Sequence, residues 1–356
     1  MAFYLFVFLS LCFLLFIAEN YKRFRSVAYF FFFAVLTLLS GLRGDVGQDT
    51  FSYMIIYNDL NSFGALEYYL KNKEPFTIIL MFGHNYFVDN YTNLLFIVSV
   101  LQVSLLAYGT RNLSHRALFL MFYFLVFYFH DNLAALRVGV ATSFVMAALS
   151  DIELSPRRSY LFFTLGLLSH VSVVILFPIF LLKRGITVFK FIKIIFLSFL
   201  LVFFIFAGFK DLILFKVYEY GLLSLSGFRV PKISLIISLV LLYSVFCVPK
   251  IRVSLVVSTV ILSLILFLSG TFDIVYRMLY VSLLGVMFLC FERKAWSVGG
   301  VKPYFPAIIA TLLWFSFLNI QYLYNESEKW KEISQRSVDF AYTPYNLFYQ
   351  SKYRYD

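Results

Sequence analysis

Charge is scarce in this chain. Asp, Glu, Lys and Arg make up 14% of it, where a soluble domain carries roughly 25%, so a fully hydrated globular surface is excluded. Cysteine is scarcer still. Cys12, Cys247 and Cys290 each lie in an apolar stretch far from the others, which rules out a disulfide framework and paired-ligand spacing and leaves three buried thiols. No Gly-rich phosphate loop ending in Lys-Ser/Thr appears, no His-Glu-x-x-His, and no carboxylate cluster with metal spacing. The sequence therefore offers neither a metal site nor a cofactor. Strict polar–apolar alternation is missing too, which excludes a membrane β-barrel.

What is present is grease. The chain of 356 residues is 62% hydrophobic, and apolar stretches of about 17–25 residues, long enough to cross a bilayer, recur from end to end. The expectation is an all-α, polytopic integral membrane protein. The net charge of +11 sits mostly in short links between apolar runs, the pattern of basic cytoplasmic loops rather than of a nucleic-acid surface. The first run lacks a basic start and a small-residue cleavage site, so it reads as a retained span.

Placing Lys22/Arg23/Arg25, Arg111/Arg116, Arg157/Arg158, Lys183/Arg184, Lys250/Arg252 and Arg293/Lys294 on the cytoplasmic side gives about ten spans. They are Met1–Ala18, Val27–Leu42, Thr92–Gly109, Ala117–Phe129, Leu133–Ser150, Val188–Ala207, Ile233–Val248, Val253–Ser269, Ile274–Phe291 and Tyr304–Leu323. Two apolar segments break the alternation, Pro75–Val88 and Tyr160–Leu182. Each should dip into the membrane and return, or be a broken helix, which is tolerated only where protein or a wet cavity covers the backbone. Residues 1–323 then form one transmembrane domain. The Tyr-rich polar tail, 324–356, forms an outer cap, and both termini face outside. No internal repeat of the transporter kind is visible.

This topology brings three arginines to one side. Arg43 follows the second span, Arg137 lies about a turn into a span beginning near Asp131 and Asn132, and Arg277 lies about a turn into another after Asp273. An intramembrane arginine costs at least ~2.5 kcal/mol. Each may be read as snorkelling or pairing locally, Arg277 with Asp273 for example. The other reading is an anion site, because guanidinium forks match phosphate oxygens and stay charged. His170 is either a core histidine bonded to backbone or a proton-transfer group with a suitable ordinary pKa. His84 and His130 lie nearer the outer boundary and His115 should face the cytoplasm. Asp45 and Asp49 are either turn residues in a Gly-rich loop or part of the site.

The motif Arg43-Gly-Asp-Val-Gly47-Gln-Asp49-Thr-Phe-Ser-Tyr53 resembles the Arg-x-x-Val-Gly-x-Asp-x-x-x-Tyr signature of the EpsG/Wzy group of bacterial polysaccharide and O-antigen polymerases. Glu74-Pro75, Leu136-Arg137-Val-Gly139, Ser169-His170-Val-Ser172 and Tyr276-Arg277-Met-Leu279-Tyr280 follow in the group's order. Departures are Val138 and Val171, where members often carry Gln and an aromatic residue. The resemblance implies a GT-C-like, metal-independent glycosyltransferase in the bacterial inner membrane, with its active site toward the periplasm. The donor would be a glycan on undecaprenyl diphosphate and the acceptor a new lipid-linked repeat unit. A chain-length regulator is a possible protein partner, and membrane lipids surround the spans. Arg43, Arg137 and Arg277 would hold the diphosphate, and His170 or Asp49 would handle the acceptor proton. Asp45, Tyr53 and Glu74 would touch substrate. An O-antigen ligase and a flippase for lipid-linked saccharide are the competing functions.

Overall fold

A computed structural model of the chain describes residues 2–43, 50–88, 90–183, 232–246, 253–268, 273–292 and 305–318. Among them the elements are helical and no β-strand occurs. The helices gather into two units, residues 1–171 with 312–356, and residues 172–311.

In the first unit, α1 (Ala2–Asn20) turns through a basic 3-10 link into α2 (Arg25–Gly41). Two short helices, α3 (Thr50–Asp59) and α4 (Phe63–Asn72), lead to α5 (Pro75–Val88). Then come α6 (Tyr91–Gly109) and α7 (Arg116–Phe122), which runs on into a π-helical stretch, Tyr123–Ala134. After these, α8 (Leu136–Asp151) and α9 (Pro156–Ser169) pack antiparallel. The second unit holds a 3-10 turn (Val171–Leu176), α10 (Phe177–Lys183), α11 (Lys232–Phe246), α12 (Val253–Leu268) and α13 (Asp273–Phe291). The last described helix is α14 (Phe305–Leu318).

The helix at 22–41 and the helix at Tyr91–Gly109 are long and apolar enough to cross a membrane, and shorter apolar helices accompany them. Large apolar side chains stand outward along α1 and α2, Phe13 at 63% and Phe30 at 68% exposure. Water would penalise such a surface and lipid would not. The architecture fits a membrane protein.

Small residues set the helix spacing, as expected where lipid supplies no hydrophobic drive for association. Ser40 and Ser99 share a hydrogen bond between α2 and α6. A Cβ on Gly109 of α6 would stand 2.8 Å from the Met146 backbone of α8, and one on Gly166 of α9 would meet the Ala141 carbonyl at 3.1 Å. Helix α8 is buried along nearly its whole length and forms the axis of the unit. Gly109→Val should force α6 off α8 at a cost of about 1–3 kcal/mol, read as a lower unfolding temperature of the detergent-solubilised protein.

Three sequence expectations need correction. Pro75–Val88 is one continuous helix, which removes the broken-helix alternative for that segment. The expected span Leu133–Ser150 starts three residues late, at Leu136, because Ala135 leaves helical geometry (φ −109°, ψ 76°). Arg137 therefore sits on the first turn, and Asn132 belongs to the preceding π-helical stretch. The span expected at Ala117–Phe129 runs on as helix to Ala134. By contrast, Tyr160–Leu182 does break. Helix α9 stops at Ser169, and His170 is extended (φ −163°, ψ 129°) ahead of the 3-10 turn. The expected span Val188–Ala207, the 208–232 link and the tail lie outside the described residues.

Candidate functional site

The basic links of the first unit share one end. Arg116 lies over the Tyr29 ring at 4.3 Å, and Arg25 donates to the Ala18 carbonyl. At that end Asp151, fully buried, accepts from Arg111 (2.6 Å) and from the Tyr108 hydroxyl (2.7 Å), with Arg158 at 3.5 Å. The three-way fixing of Asp151 aligns the far ends of α6, α8 and α9.

Toward the other end stands a different cluster. Glu74 immediately precedes Pro75, which opens α5 at the position where its missing N–H costs nothing. Arg137 is the second residue of α8. Their side chains form an ion pair. The Arg137 Nε donates to the Tyr53 hydroxyl of α3 (3.3 Å), and the guanidinium faces that ring at 5.6 Å. The other Glu74 oxygen lies 3.8 Å from Nε2 of His170, at the break after α9. All three side chains are largely shielded, with exposures of 18% for Arg137, 20% for Glu74 and 11% for His170. Burial pushes the Glu74 carboxyl up, but Arg137 and then His170 outweigh it and hold the group below its ordinary value. Glu74 is a carboxylate.

Helix lengths explain the recess. α8 has 16 residues and α9 has 14, or about 24 Å and 21 Å at 1.5 Å per residue, against a hydrocarbon core of about 30 Å. Neither is long enough to cross such a layer. The N-termini of α5 and α8 both open at the Glu74–Arg137 pair, so their partial positive charges add to the guanidinium. This corner accepts anions. In this structure the anion is Glu74's own carboxylate.

Arg43 is tied to the same corner from behind. Only 2% exposed, it donates to the Asn132 carbonyl. Asn132 accepts from Tyr123 (2.7 Å) and donates to Gln102 (3.1 Å), and Gln102 donates to the Leu136 carbonyl (3.2 Å) beside Arg137. A buried hydrogen-bond chain thus runs from the end of α2 to the start of α8. Tyr57 fixes the outer layer, accepting from the Asn90 N–H and sharing a bond with His84, both at 2.9 Å.

Of the residues singled out in sequence, Arg137, Glu74, His170 and Tyr53 come together, and Arg43 joins them through Asn132. Asp45 and Asp49 lie outside the described residues. The backbone of Arg277 is on α13 of the second unit, about a turn from its start as expected, while its side chain lies outside the described residues. Sequence reasoning took Glu74 for a substrate contact and missed it as the partner of both Arg137 and His170. It also missed Gln102 and Asn132. A lone Gln in the middle of an apolar span was the available signal.

Apolar helices around a shielded ion-pair cluster fit a helical membrane protein with a polar site in its first unit. The chain belongs to the EpsG family, whose profile matches residues 26–327. This is the family of Wzy-like polysaccharide polymerases, and membership supports a polysaccharide polymerase-like function in general. No curated protein and no solved structure matches the chain.

Proposed function

We propose that the protein is an O-antigen or related polysaccharide polymerase of the bacterial inner membrane. It transfers a growing glycan from undecaprenyl diphosphate onto a new lipid-linked repeat unit at the periplasmic face. The observation that carries this reading is the Arg137 corner, where a guanidinium and two helix N-termini converge in a shielded recess. Cleaving a sugar–diphosphate bond leaves charge on the departing lipid diphosphate, and fixed positive groups aimed there lower the barrier. Arg137 makes the direct contact, and Arg43 supports it from behind. His170 takes the proton of the acceptor hydroxyl. Tyr53 contacts substrate beside Arg137, and a chain-length regulator is a natural protein partner.

With arginines in the place metal ions often take, the purified protein should extend a lipid-linked repeat isolated from polymerase-deficient cells. The extension should proceed equally with and without a chelator. Failure to extend, with the repeat bound and the protein folded, rejects the polymerase; extension only with divalent metal rejects the arginine mechanism.

A further inference from the structure

Glu74 stands between two partners that the reaction needs for different purposes. One carboxylate oxygen holds Arg137, and the other faces His170 Nε2 at 3.8 Å, too far for a hydrogen bond. We propose, building on the polymerase reading, that Glu74 is a positioning residue that changes partners. It occupies Arg137 until the donor diphosphate takes the guanidinium, and then closes on His170 and makes it a competent base.

The chemistry follows from that exchange. A diphosphate brings more charge to Arg137 than one carboxylate does, and guanidinium forks suit phosphate oxygens. Once displaced, the Glu74 carboxylate can accept from the Nε2–H of His170, 3.8 Å away in the resting site, and hydrogen bonds that are long in a resting site shorten in the reacting complex. The pair then works as a carboxylate–imidazole unit of the kind that orients one ring nitrogen and leaves the other to accept a proton. The acceptor hydroxyl gives its proton to the second nitrogen of His170 while its oxygen bonds to the anomeric carbon. The bond from that carbon to the diphosphate oxygen breaks, and its electron pair leaves with the lipid diphosphate. Glu74 stays ionised and steadies the imidazolium. The base is thereby switched on only when a donor is seated.

Besides Arg137 and His170, the titratable groups near Glu74 among the described residues are the Tyr53 hydroxyl of α3, bonded to Arg137, and Lys73, its exposed chain neighbour. The acid limb of the rate profile is the readout for His170 in this proposal.

The test is Glu74→Gln in the full-length protein, reconstituted with lipid-linked repeat isolated from polymerase-deficient cells, with undecaprenyl diphosphate as a separate binding probe. Turnover should fall about 100-fold. Donor KM and the Kd of the probe should fall several-fold, because a competitor for Arg137 is gone. The acid limb of kcat should move to lower pH, since imidazolium has lost its stabilising carboxylate. Glu74→Asp, which keeps the charge, should return part of the turnover and move the limb back. A merely structural Glu74 would loosen Arg137, so a raised donor KM with an unmoved pH limb overturns the proposal, as does unchanged kcat. Arg137→Ala separates the two levels. If it leaves probe affinity intact, the diphosphate assignment itself fails; if it weakens the probe while Glu74→Gln behaves structurally, only the exchange fails.

Discussion

Arg137→Ala should reduce glycan extension by about 10²–10³-fold, the usual loss when one fixed donor to a developing oxyanion is removed. In cells making the surface polysaccharide, single-repeat glycans should persist attached while long chains disappear from the gel. A flippase defect would remove the single repeat as well, and a ligase defect would leave polymer unattached, so the band pattern reads the function directly. Arg137→Lys keeps a positive charge but loses the planar fork and the Nε bond to Tyr53, and these residues do not substitute for one another at forked sites. It should restore only short chains. Normal chain length in both variants, with the protein present in the membrane, would sink the assignment.

The second large effect lies at the opposite end and concerns stability rather than chemistry. Asp151 ends α8, where a negative charge is disfavoured by the helix dipole, and it is fully buried. Its place depends on Arg111, Arg158 and the Tyr108 hydroxyl. Asp151→Ala should cost about 2–3 kcal/mol, below the usual loss for a broken buried pair because Arg111 is partly exposed to solvent. Detergent-solubilised protein should melt earlier and accumulate less, while the turnover of each folded molecule stays near that of the parent. A drop in turnover without a drop in melting temperature would contradict the structural role.

Periodicity-free apolar runs and basic links were enough to read a polytopic helical protein, and the break at His170 was legible from Ser169-His170 interrupting an apolar segment. What escaped was pairing. Which acid meets which arginine depends on where α5 and α8 begin. That is set by Pro75 and by the backbone turn at Ala135, and a one-turn error in the start of α8 is enough to hide the Glu74 contact. Gln102 was invisible for a similar reason. Its partners come from Asn132 and the Leu136 carbonyl, more than two dozen residues away in sequence, and no spacing rule links them.

The shortness of α8 and α9 reaches beyond the site. If the carrier lipid's head must descend about 6–9 Å below the hydrocarbon boundary to meet Arg137, its isoprenoid chain never has to leave the oil. The sugars can trail outward into water while the anchor slides in sideways. A polymerase of the kind proposed would then exchange one tethered chain for another in each round without lifting any long hydrocarbon out of the bilayer.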